Sequence, residues 1–268
     1  MQLNYHDICQ EMRRDIVRMT YGAGNIGAHI GGALSLVEIF AVLYTVNGGL
    51  NLKNIHSDNR PRIILSKGHG VMAQYAAMKQ VGIIDDEAIA TFKTIGSHLA
   101  AHPHMNEDLG IEFSSGSLGQ GLSQGVGVAL ALRRKNNGSK VFVIVGDGEC
   151  DEGSVWEAAM SAAHFNLNNL CVIVDKNNIQ YDGPTNDVMK LSDLERKLKS
   201  FGFATVTADG HSCNELIAAV NSKSELPKAI IAETIKGKGV SFMENNPKWH
   251  NGRLDTALFA QAMSELGA

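Results

Sequence analysis

The sequence predicts an α/β fold in which a parallel sheet is covered by helices on both faces. Three observations predict it. Lys140–Val145 and Leu170–Val174 are continuous apolar runs of strand length, the pattern of strands buried on both sides. Helical patterns alternate with these and other short runs, which favours parallel pairing through crossover helices. Polar, glycine-bearing motifs follow the runs, as expected where ligands bind beyond the carboxyl ends of strands.

The elements follow in order. Ile8, Met12, Ile16 and Met19 recur at helical spacing, so residues 5–20 read as a helix. A glycine-rich break, 21–32, contains His29. A second helix is predicted over 33–46 and a polar loop over 47–60. Arg62–Leu65 reads as a short buried strand ending in Ser66-Lys67-Gly68-His69-Gly70. Helices are predicted from there to 80 and near 85–93. Residues 96–116 read as irregular, with His98, His102 and His104 around Pro103, which argues against a continuous helix. A small-residue helix follows over 117–135. After the Lys140–Val145 strand, Gly146-Asp147-Gly148-Glu149 leads into a helix over 152–165. The Leu170–Val174 strand ends in Asp175-Lys176-Asn177-Asn178. Further alternation is predicted: helix 192–200, strand 203–207, helix 213–222, strand 228–234 and a helical tail from 254. No linker or repeat divides residues 1–268, which read as one domain.

Composition narrows the function. The 24 Lys+Arg against 28 Asp+Glu give a net charge of -4, with no basic run, so a nucleic-acid partner is not expected. Residues 1–7 lack the features of a secretory signal, and no apolar stretch is long enough to span a membrane. A cytoplasmic location is expected. Cys9, Cys150, Cys171 and Cys213 form no CxxC pair and read as buried or half-buried free thiols. The 28 glycines against 5 prolines point to backbone that must approach a ligand closely.

Gly146-Asp147-Gly148 is the most informative motif. The glycines permit a close backbone approach, and the following helix offers free N–H groups to an anion. Asp147 would repel a bare phosphate, and a divalent cation between them resolves the conflict. Asn177 and the carbonyls of the loop to Ile179 would add oxygens, one crossover later. An all-oxygen set favours Mg²⁺ or Ca²⁺ over Zn²⁺. A zinc site at His98, His102 and His104 is disfavoured by Pro103 and by the lack of a carboxylate at motif spacing. The Gly119–Gly125 stretch follows an irregular segment, which removes the context of a nicotinamide fingerprint. His6, His56 and His164 read as surface or structural, while His211 is balanced between a structural role and a part in the site. Lys236 and Lys238 are a basic pair, read equally as a solvated loop or as neighbours of a diphosphate.

Gly146-Asp-Gly followed by Asn177-Asn178 is similar to the thiamine diphosphate signature. Within that superfamily the chain resembles transketolase, over the family's N-terminal, diphosphate-binding half. His29-Ile-Gly-Gly, Ser66-Lys-Gly-His-Gly, Ala101-His-Pro, Gly116-Ser-Leu-Gly-Gln-Gly and Lys238-Gly…Trp249-His250 match further motifs in order. The resemblance implies that Asp147, Asn177 and the Ile179 carbonyl hold the metal. It implies that His69, Gly148 and His250 face the diphosphate, and that Gly116 and Leu118 contact the rings. Glu149 and Asn177 are counted with the cofactor-binding residues. His29, His69, His102 and His250 are the candidate catalytic residues, the first three lining the donor-sugar channel. Ile30 and His104 depart from the family's Pro and Glu. The family's second half, which grips the pyrimidine, is absent. The resemblance therefore implies one subunit of a split transketolase. It would act on sugar phosphates with a C-terminal partner subunit, in a heterotetramer. Two alternatives stand beside this reading. One is the α chain of a deoxyxylulose-phosphate synthase-like or 2-oxo-acid dehydrogenase-like enzyme. The other is a non-catalytic cofactor-binding module.

Overall fold

A computed structural model describes residues 3–46 and 49–268. Met1 and Gln2 of the N-terminal reading, and residues 47 and 48 of the predicted loop, lie outside them. Five strands form one parallel sheet: β1 (Arg62–Leu65), β2 (Val141–Gly146), β3 (Leu170–Lys176), β6 (Ala204–Asp209) and β7 (Lys228–Glu233). Their order is β1-β2-β3-β7-β6. A small antiparallel hairpin, β4 (Ile179–Gln180) with β5 (Gly183–Pro184), leaves the end of β3. The α/β class expected from the sequence is the one observed.

Alternation along the strands explains their continuous apolar character. Phe142 and Ile144 of β2, Cys171 and Ile173 of β3, and Ile230 and Ala232 of β7 enter one core. Their neighbours Val141, Val143, Val145, Val172, Val174 and Ile231 enter a second core on the opposite face. Both faces of the central strands are therefore sealed, which accounts for the apolar runs Val141–Val145 and Leu170–Val174. The first core is closed by α1 (Tyr5–Gly22), α3 (Val37–Thr45), α4 (Val71–Gln80) and α10 (Cys213–Asn221). The second is closed by α6 (Gln120–Arg134), α7 (Gly153–His164) and α9 (Leu194–Ser200). Short helices α2 (Ile30–Leu34), α5 (Asp86–Ala90) and α8 (Thr185–Val188), and the tail helix α11 (Thr256–Glu265), complete the chain.

Local signals set several helix starts. Asp85, Asp193, Ser212 and Asp255 each accept a hydrogen bond from a first-turn backbone N–H of α5, α9, α10 and α11. The helix predicted over 33–46 is instead two helices, α2 and α3, broken at Ser35-Leu36. There the Ser35 hydroxyl donates to Asp175, so a tertiary partner holds the break. The hairpin and α8 were not foreseen, because two-residue strands carry no readable period. No helix among the described residues is long and apolar enough to cross a membrane.

The start of α6 is pressed against the end of β1. A Cβ on Gly121 would lie 2.4 Å from the Ser66 Cβ and 2.8 Å from its Cα. Backbone cannot retreat there without moving the sheet edge. Gly121→Ala is expected to cost about 1–3 kcal/mol, as overpacking does. A urea midpoint equal to wild type would show that the helix can slide.

Candidate active site

The order β1-β2-β3 makes neighbours of the three strands whose ends carry the polar motifs. Gly146 of β2 is paired with Asp175 of β3, which brings the Gly146–Glu149 turn beside the Asn177-Asn178 turn. The three motifs converge on a cavity of about 500 Å³. Lys67, His69, Leu118, Asp147–Glu149, Asn177 and Ile179 line it, with Lys236 and His250 arriving from the segment after β7.

Backbone turns aim the oxygens. Asp147 accepts from the N–H groups of Gly148 (2.8 Å) and Asn178 (2.6 Å), so one carboxylate ties the two strand ends together. Asn178 sits at φ +61°, a left-handed turn that Asn tolerates. Its carbonyl accepts from Thr185, which holds the hairpin in place. The Asn177 amide donates to Asp175 (3.1 Å), and its oxygen accepts from the Ile179 N–H (3.1 Å). The Ile179 carbonyl accepts from the Lys236 ammonium at 2.8 Å.

This donor set fits a hard divalent cation. Asp147, Asn177 and the Ile179 carbonyl offer a carboxylate, an amide oxygen and a carbonyl, each with lone pairs to spare. Burial, reinforced by the nearby Asp175, pushes the Asp147 carboxyl up to about 6. The nearby Lys67 charge does not offset this, so a bound cation would favour the ionised carboxylate. The Lys236 ammonium on the Ile179 carbonyl shows that this oxygen already accepts a cation. Among the described residues no group of three or more His, Cys, Asp or Glu is arranged to hold a metal ion. His98 and His104 are exposed, whereas His102 turns inward.

Sequence reasoning missed a buried ion pair beneath the cavity. Lys67 and Asp175 are 2% and 0% exposed, and the ammonium donates to Asp175. Asp175 also accepts from Ser35, Thr234 and Asn177. Burial is the largest influence and raises its pKa, but the Lys67 charge together with the hydrogen bonds from Lys67, Thr234 and Ser35 holds the carboxyl below its ordinary value. The signal was present only as a lysine two residues past β1 and an aspartate near the end of β3.

The four candidate catalytic histidines come together. Ring centroids lie 5.7 Å apart for His29–His69, 5.4 Å for His29–His102, 5.4 Å for His29–His250 and 5.2 Å for His69–His250. Burial, with neighbouring lysines and histidines, pushes His250 down to about 3 and His29 down to about 4. Burial and the Lys67 charge hold His69 well below its ordinary value, and burial also lowers His102. All four are neutral at pH 7, so each ring offers one donor and one acceptor nitrogen. In His250 the Nδ1 faces the Lys236 ammonium at 3.1 Å, which makes that nitrogen the acceptor.

Burying a neutral imidazole makes folding sensitive to acid. The His29 pKa falls from 6.5 to about 4 on folding. Between those values the unfolded chain binds more protons, so stability rises with pH there and falls on acidification. His29→Asn is expected to lose less stability than wild type between pH 7 and pH 4. Parallel urea midpoints for the two proteins across that range would refute the neutral assignment.

Other expectations resolve differently. Gly116, at φ +147°, stands against His102, where a Cβ would lie 3.3 Å from the ring. It shapes the histidine cluster and is not among the residues lining the cavity. Glu149 borders the cavity, with its carboxylate facing the protein. Its oxygens accept from Ser66, Gly119 and Gly146, so the carboxylate braces the β1, β2 and α6 ends. His211 is structural, with Nδ1 on Glu38 (2.9 Å) and Nε2 accepting from the Ile235 N–H. The basic pair divides: Lys236 is buried in the site, where burial pushes it down to about 8, while Lys238 pairs outside with Glu244.

Residues 13–268 match the family described as transketolase, thiamine diphosphate binding domain. The chain is 39% identical over 247 residues to the 6-deoxy-6-sulfo-D-fructose transketolase subunit of Clostridium sp. (strain MSTE9), covering 91% of this chain and 90% of that one. It is 35% identical over 254 residues to an apulose-4-phosphate transketolase subunit of Actinobacillus succinogenes, covering 93% and 92%. Among solved structures, transketolase from Leishmania mexicana superposes with a TM-score of 0.89 at 26% identity, covering all of this chain and 42% of that one. The chain spans less than half the length of that structure.

Proposed function

This chain belongs to the transketolase family, as its thiamine diphosphate-binding part, and we propose that it forms half of an active site completed by a second chain. It is a subunit of a ketol-transferring enzyme. One contrast carries the proposal: the chain covers nine-tenths of relatives named as subunits but 42% of a whole transketolase. The completing chain would be the C-terminal, pyrimidine-binding subunit, in a heterotetramer.

Thiamine diphosphate, when bound, supplies the carbon nucleophile that carries the two-carbon unit. The rest falls to the side chains. Asp147, Asn177 and the Ile179 carbonyl would hold Mg²⁺, and the N–H of Gly148 would face the diphosphate. The Lys236 ammonium, His69 and His250, which border the same cavity, would face that diphosphate. Leu118, which lines the cavity, would pack against the rings. His29 and His102 would hydrogen-bond the hydroxyls of the donor ketose. Being neutral, they can take a hydroxyl proton at one nitrogen and return one from the other. Their half-buried position limits water at the reacting carbon. Four free cysteines suit a cytoplasmic, reducing compartment.

The named relatives support two donors, a sulfonated ketose and a branched sugar phosphate, and ordinary ketose phosphates are a third. The purified chain is expected to show no ketol transfer on 6-deoxy-6-sulfofructose, apulose 4-phosphate or xylulose 5-phosphate. Adding the complementary subunit should produce transfer from one of them. Turnover by the chain alone would overturn the shared-site reading.

A further inference from the structure

Outside the cofactor cavity and its histidines, a second, chemically distinct group comes together. Cys9 of α1 and Cys213, the first residue of α10, face each other with their sulfurs 3.9 Å apart, although 204 positions separate them. We propose that Cys9 and Cys213 are a reversible oxidation site that closes to an intramolecular disulfide and ties α1 to α10.

Geometry is the first support. A disulfide needs sulfurs about 2.05 Å apart. The remaining approach, about 2 Å, is within reach of side-chain rotation and a small helix shift. Access is the second. The pair borders a cavity of about 400 Å³, shared with Arg13, Glu38, His211 and Lys238 and large enough for a peroxide. Cys9 is 4% exposed, while Cys213 is partly open to solvent.

The two thiols differ in the way the chemistry needs. The hydrogen bond with Cys9 holds the Cys213 thiol below its ordinary value, and its place at a helix N-terminus acts in the same sense. The same contact, followed by burial, pushes Cys9 up. Glu38 opposes a thiolate here, but its charge is shared by Arg13 at 2.6 Å and His211 at 2.9 Å. Cys213 is thus the attacking thiolate and Cys9 the resolving thiol. With hydrogen peroxide, the Cys213 sulfur displaces hydroxide to form a sulfenic acid. The Cys9 sulfur then attacks that sulfur and expels water. The sum is two thiols plus one peroxide giving one disulfide plus two waters. Cys150 and Cys171 lack these features: burial pushes Cys171 up to about 12 and Cys150 well above its ordinary value.

The bridge would act on the site through short contacts. Arg13 donates to the Lys238 carbonyl at 3.2 Å, and His211 accepts from Ile235 at 2.8 Å. Lys236 lies between those two anchors. Moving α1 toward α10 shifts the segment that places its ammonium.

The test treats the full chain with stoichiometric hydrogen peroxide and maps disulfides by non-reducing mass spectrometry. Titratable thiols are expected to fall from four to two, with Cys9 and Cys213 peptides joined and released by dithiothreitol. Cys9→Ser should remove the crosslink and leave Cys150 and Cys171 unmodified. Four persisting thiols, a crosslink between other cysteines, or over-oxidised Cys213 without a bridge would each overturn the proposal.

Discussion

Asp147→Ala is expected to weaken thiamine diphosphate binding in Mg²⁺ by at least about 100-fold, since loss of even an outer-shell partner of a metal costs roughly 10–100-fold. Calorimetric titration with and without Mg²⁺ reads the effect directly. Wild type should bind in a metal-dependent way, and the variant should lose that dependence. Folding should respond in the opposite direction. The Asp147 carboxyl is 5% exposed and raised to about 6 by burial and Asp175. Removing it relieves a desolvated charge, although the Gly148 and Asn178 N–H groups lose their acceptor. The ligand-free variant is therefore expected to match or exceed wild type in thermal midpoint. Metal-dependent binding that survives the substitution would show that the cation lies elsewhere. A large drop in midpoint would mean that the two turns depend on this carboxylate more than on a cation.

Lys67→Met is expected to cost about 3–5 kcal/mol of folding stability, the usual penalty for stranding one member of a buried ion pair. Methionine fills most of the lysine stem's volume, so packing is a minor part of the loss. Asp175 would keep its bonds from Ser35, Thr234 and Asn177, which places the cost near the lower end. Urea unfolding followed by circular dichroism reads it. The double variant Lys67→Met/Asp175→Asn should recover part of the loss, because the stranded charge is gone. A single-variant loss below about 1 kcal/mol would contradict the stranded-charge argument. The pair matters for the site as well as for stability, since Asp175 orients Asn177 and Lys67 borders His69.

The sequence was legible where one physical constraint governs a whole segment. Strands β2 and β3 are buried on both faces, so their residues had to be apolar throughout, and the pattern could be read without a partner. The Asp147 and Asn177 turns were legible because glycine and Asn-Asn at strand ends serve few other purposes. The four histidines were named from their motifs. What could not be read was orientation. His102 turns inward while His98 and His104 turn out, because the loop around Pro103 has no regular period. Lys236 and Lys238 separate for the same reason, and a two-residue offset sends one into the cavity and the other to Glu244. The bracing role of the Glu149 carboxylate could not be read either, because its three donors, Ser66, Gly119 and Gly146, come from separate elements.

Local rules suffice for the α/β class, the oxygen-bearing turns at the ends of β2 and β3, and membership of the family. Strand periodicity, turn chemistry and residue type are all written in the order of the amino acids. The folded chain added what no segment holds alone. It placed β1, β2 and β3 side by side so that three motifs share one cavity. It paired Lys67 with Asp175, held four imidazoles neutral by burial, and set Cys9 against Cys213. Each of these depends on groups far apart in the chain, and their charge states follow from desolvation and neighbouring charges, which exist only once the sheet and its helices have closed around them.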